Sequence, residues 1–77
     1  MVNLAEYEEM GAMGKGLADY AIGATFGVAA ATNNRTDAEA VLEAVKKAAE
    51  QTSSKSWRTF YKKHITRLEY NMKVYFA

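Results

Sequence analysis

MGAMGKGLADYAIGATFGVAAAT, residues 10–32, holds all five glycines of a 77-residue chain that has no proline. Read at helical spacing, Met10, Met13, Leu17, Tyr20, Ala24 and Val28 follow in steps of three and four, which predicts one buried stripe. Beside it run two rows of small or modest residues: Gly23, Gly27 and Ala31, and Ala21, Thr25 and Ala29. A glycine inside a helix costs about 1 kcal/mol against alanine. Five would cost on the order of 4–5 kcal/mol, comparable to the roughly 3–5 kcal/mol that a domain this small retains. Close approach of another backbone is the physical offset, because small residues permit it and large ones forbid it. Gly16, Gly23, Gly27, Ala21 and Thr25 are therefore the expected packing and self-association residues. The three glycines of Gly11–Gly16 also predict a kink or break there, with a continuous helix from about Leu17 to Ala31.

Outward from this stretch the pattern stays helical. Asn3 suits an N-cap, with Glu6 in the first turn and Leu4, Tyr7 and Met10 facing inward. Asn33-Asn34-Arg35 reads as a turn. Thr36-Asp37-Ala38-Glu39 has the form of a capping box, and Ala38, Val41, Leu42, Val45, Ala48 and Ala49 mark an apolar stripe over about 37–51. Glu43 stands four residues before Lys47, the favourable order for an ion pair. Ser54 or Ser56 opens a last helix over 55–75, striped by Trp57, Phe60, Tyr61, His64, Ile65, Leu68, Met72 and Tyr75. The expected fold is one all-α domain over 1–77, a small bundle of three helices, or four, at roughly 3–31 (kinked or broken near 11–16), 37–51 and 55–75. The large aromatics of the last helix would lie over the small residues of the first.

Composition excludes several function classes. With no cysteine there is no disulfide framework, thiolate metal site or cysteine nucleophile. The longest apolar run, Leu17 to Thr32, carries Asp19 and is too short to span a bilayer. No apolar leader opens the chain, which predicts a cytoplasmic or virion-associated protein rather than a secreted one. Gly11-x-x-Gly14-Lys15-Gly16 departs from a phosphate-binding loop in spacing, in lacking Ser or Thr after the lysine, and in lacking a preceding strand. His64 is the only histidine and reads as an edge-of-core residue, far along its helix from Ser53, Ser54 and Ser56. No catalytic, cofactor or metal site is expected, and the chain is read as no enzyme.

The net charge of +1 hides an asymmetry. Glu6, Glu8, Glu9 and Asp19 gather in the first twenty residues, and Lys55, Arg58, Lys62, Lys63, Arg67 and Lys73 in the last twenty-four. Such ends attract each other, within a subunit or between subunits. The leading expectation is a small interaction or assembly protein with a protein partner, most simply another copy. An oligomer or filament subunit, a viral or mobile-element accessory protein, and an inhibitor of a larger machine all share this layout. The alternative is a nucleic-acid-binding module in which Arg58, Lys62, Lys63 and Arg67 meet phosphates beside Trp57, Phe60 and Tyr61. The same four residues would also suit an acidic protein surface. Whether the glycine row meets the core or a neighbour separates a self-sufficient bundle from a component.

Overall fold

A computed structural model describes residues 3–77 as four helices with no strand among them: α1 Leu4–Glu8, α2 Ala12–Ala31, α3 Arg35–Gln51 and α4 Lys55–Tyr75. The all-α bundle expected from the sequence is thus observed, with α1 as the fourth helix. Asn3 caps α1 as expected, its Oδ1 accepting from the Ala5 amide at 3.0 Å. The break expected near Gly11–Gly16 is present, at the first residue of that stretch. It is made by Gly11 alone, at φ 68° and ψ −141°, a region that essentially only glycine occupies. Gly14 and Gly16 continue as helix.

Gly14 is the one glycine that meets a neighbour: a Cβ there would collide with the Tyr7 carbonyl oxygen. It lets α1 fold back onto the start of α2. Around Gly16, Gly23 and Gly27 there is open space. The expected close approach within the subunit is therefore confined to Gly14.

The stripe expected to be buried on α2 points the other way. Gly14, Ala18, Ile22, Phe26 and Ala29 face the core, while Met10, Met13, Leu17, Tyr20, Ala24 and Val28 are exposed. Both sides of this helix are apolar, so periodicity alone does not choose between them. Packing chooses: Gly14 and Ala18 admit α1 and the other helices closely, and Ile22 and Phe26 fill the centre.

A short turn reverses the chain into α3. Asn33, at φ 53°, donates its amide to the Ala30 carbonyl at 3.1 Å, and Asn34 donates to the Ala29 carbonyl at 2.8 Å. This crossed pair closes the C-terminus of α2 with asparagine in the left-handed position. Asn34 then caps α3. Its Oδ1 accepts from the Asp37 amide at 3.0 Å and its Nδ2 donates to Asp37 Oδ2 at 2.7 Å. The cap is Asn34 with Asp37 rather than the expected Thr36 with Glu39, because the residue that ends α2 is already placed to start α3. Lys46, not Lys47, approaches Glu43, at 3.7 Å, and it also reaches Glu69 at 3.7 Å.

Ser54 caps α4, its Oγ accepting from the Trp57 amide at 3.2 Å. α3 lies between α2 and α4 and packs most extensively on α4. Ala38, Val41, Leu42 and Val45 meet Trp57, Tyr61 and Leu68 in one core with Ile22 and Phe26. Phe76, just beyond α4, returns over Phe26 edge-on, with ring centroids 6.5 Å apart. Contact between α2 and α4 is sparse, so the aromatics of α4 do not blanket the glycines of α2 as expected. They stack among themselves and on α3.

Candidate interaction face

α2 carries only two charged residues, and both are turned toward α4. Lys15 Nζ donates to Ser56 Oγ and lies 5.8 Å from the centre of the Trp57 ring. Asp19 Oδ1 lies 3.1 Å from His64 Nε2. The opposite side of the helix, from Gly16 and Gly23 round to Leu17 and Val28, has no charge at all. Met13 is 72 % exposed, Tyr20 76 % and Val28 65 %. Along the middle of this side, Met13, Leu17, Tyr20, Ala24, Gly27 and Ala31 are spaced 4-3-4-3-4, the step of a helix–helix seam. A helix that is apolar all round is ordinarily enclosed on every side. Here half of it is not.

Two open grooves flank this face. One, of about 490 Å³, runs between α2 and α4, with Gly23, Gly27 and Ala31 on one wall and His64, Arg67 and Tyr75 on the other. The second, of about 1100 Å³, lies between α2 and α3 over Ala24, Ala40, Ala44 and Ala48, and reaches Glu8 and Lys47. Of the five expected packing residues, Gly16, Gly23 and Gly27 are on the outer side. Ala21 and Thr25 are half-buried, Thr25 returning its hydroxyl to the Ala21 carbonyl at 2.7 Å.

The basic residues of α4 divide. Lys62, Lys63 and Arg67 are exposed and form no ion pair with a described residue. Arg58 is half-buried and donates to the Thr52 carbonyl at 2.8 Å. Trp57 and Tyr61 are buried and Phe60 half-buried, so the aromatics interleaved with these cations pack inward. Among the described residues, His64 is the only group of the basic end within ion-pair distance of the acidic head, through Asp19. His64 is buried, and burial lowers its pKa. Asp19 opposes that shift, while Arg67 and Lys63 add to it.

A polar cluster that sequence reasoning missed joins α1, the α3–α4 turn and α4. Glu8 Oε1 accepts from Thr52 Oγ1 at 2.8 Å and Glu8 Oε2 accepts from the Tyr61 hydroxyl at 2.5 Å. Burial, then the hydrogen bond and charge of Glu8, push the Tyr61 phenol far above its ordinary pKa, so it remains a donor. Forty-four and fifty-three residues separate these partners, and no local signal announces them. Among the described residues no three histidine or carboxylate side chains gather where a metal ion could be held, and no helix is long and apolar enough to cross a membrane.

Comparison of the chain with protein-family models, curated proteins and solved structures finds no match.

Proposed function

We propose that this is a non-catalytic interaction and assembly protein that binds another protein through the outer side of α2. One observation carries the reading: an exposed, uncharged helix face with seam spacing, on which Met13, Leu17 and Tyr20 project beside three unencumbered glycines. Large exposed apolar patches on small soluble domains mark interaction surfaces. The glycines fit the same role, since they weaken the helix and gain nothing inside the subunit.

The test is a photo-crosslinking residue placed at Tyr20, with Thr66 on α4 as the control position. Expected is a protein adduct from position 20 and none from position 66. Equal adducts from both, or none from position 20, would remove the reading.

A second reading rests on Lys62, Lys63 and Arg67, exposed and without ion-pair partners among the described residues. These cations would contact nucleic-acid phosphates without base stacking, because the neighbouring aromatics face inward. Three phosphate contacts predict a slope of about −3 in log affinity against log salt. A salt-independent or absent affinity for DNA and RNA would remove it.

A further inference from the structure

We infer that the occupant of the α2 face is the same face of a second copy, lying antiparallel to it about a two-fold axis beside Gly23. This rests on the assembly reading above and adds the partner and its orientation. The seam is graded by size. Met13, Leu17 and Tyr20 fill its N-terminal half, and Ala24, Gly27 and Ala31 its C-terminal half. Two such seams laid antiparallel bring Met13 opposite Ala31, Leu17 opposite Gly27 and Tyr20 opposite Ala24. Each large side chain meets a small one, twice over, as a two-fold interface requires.

A parallel pair would set Tyr20 on Tyr20 and Gly27 on Gly27, crowding one end and leaving a void at the other. A partner of uniform side-chain size would leave the same mismatch. Charge agrees with self-pairing: the face has none, so two copies meet without repulsion, and nothing on it selects an acidic or basic partner. Antiparallel helices also oppose their dipoles favourably. Beside the axis Gly23 of one copy approaches Gly23 of the other, where the missing side chains allow axes about 8 Å apart.

The contact is modest. A 20-residue helix is about 30 Å long, and one side of it offers roughly 300 Å² per copy. Met10, half exposed at the α1–α2 corner, extends it toward the Asn33–Asn34 turn of the second copy. This stays below the roughly 800 Å² per partner of a standard interface, so the pair is expected to be weak and reversible.

The chain has no cysteine, so single cysteines report the orientation directly. Met13→Cys and Ala31→Cys, both exposed substitutions, are treated with a short bismaleimide separately and as an equal mixture, at protein concentrations up to about 1 mM. Circular dichroism checks that both variants are folded. Expected is a covalent dimer at least tenfold more abundant in the mixture than in either variant alone. Self-crosslinking of Met13→Cys and of Ala31→Cys would show a parallel pair, overturning the orientation while leaving assembly through α2 intact. A monomer by light scattering at every concentration would overturn the second copy, and the adduct from position 20 would then decide the broader reading by itself.

Discussion

Tyr61, fully enclosed in the core, donates its hydroxyl to Glu8 at 2.5 Å, so a side chain of the last long helix holds the five-residue α1 in place. A helix that short is not stable alone. It stays because Leu4 is buried, Tyr7 packs over Gly14, and Glu8 is gripped by Tyr61 and Thr52. Tyr61→Phe removes one hydrogen bond to a charged acceptor and is expected to cost about 1.5 kcal/mol in chemical denaturation. Glu8→Gln leaves one acceptor oxygen for two hydroxyl donors and is expected to cost at least as much. Equal stability of Tyr61→Phe and the parent protein would show that α1 is held by apolar contact alone.

His64 gives the fold a pH dependence of defined sign. Burial lowers its folded pKa below the ordinary 6.5, so the folded chain binds fewer protons there than the unfolded chain. Its contribution is complete above pH 6.5 and is lost as the pH falls below that value toward the folded pKa. The denaturation midpoint is expected to drop as the pH falls below about 6.5, and to drop less in His64→Gln. Among the described residues Asp19 is the neighbour that raises this pKa, so Asp19→Asn is expected to lower it further in an imidazole NMR titration. A rise on losing Asp19 would contradict the 3.1 Å contact.

The glycines sort into two classes by substitution. Gly14→Ala drives a methyl group into the Tyr7 carbonyl, and Gly11→Ala forces a side chain into a glycine-only backbone region. Both are expected to destabilise, Gly11→Ala by about 1–3 kcal/mol. Gly16→Ala and Gly27→Ala have room and remove a helix-weakening residue, so each is expected to stabilise the isolated subunit by about 0.5–1 kcal/mol. Under the antiparallel pairing, Gly27→Ala also crowds Leu17 of the second copy and weakens association. Higher thermal stability together with weaker association is the signature to look for in parallel melts and sedimentation runs.

Asn34 ends one helix and starts the next. Asn34→Ala loses the cap on the Asp37 amide and is expected to cost about 1 kcal/mol. Asn33→Gly relieves a left-handed residue at φ 53° and is expected to be neutral or stabilising in thermal melts.

α3 and α4 were legible because charge marks their wet sides. Glu39, Glu43 and Lys47 on α3, and Lys62 and Lys63 on α4, leave one stripe free to be the core, and the observed bounds match the expected ones within two residues. α2 offers no such marker. Its two charged residues lie on the flank that faces α4, where Ser56, Trp57 and His64 receive them, so the side without charge points outward. Which apolar stripe entered the core was fixed by contacts with α1 and α3 that no local pattern encodes. The Glu8–Thr52–Tyr61 cluster and the Asp19–His64 pair were hidden for the same reason, since each joins residues more than forty positions apart.

The outward face of α2 is tested most directly by sedimentation equilibrium of the native chain beside Leu17→Glu, which plants a charge in the middle of the uncharged side. The native mass is expected to climb from 8.5 kDa toward twice that value as concentration rises, while Leu17→Glu stays at 8.5 kDa with its helical spectrum unchanged. Two chains that remain at 8.5 kDa throughout, or that associate equally well, would contradict self-association through the outer face of α2.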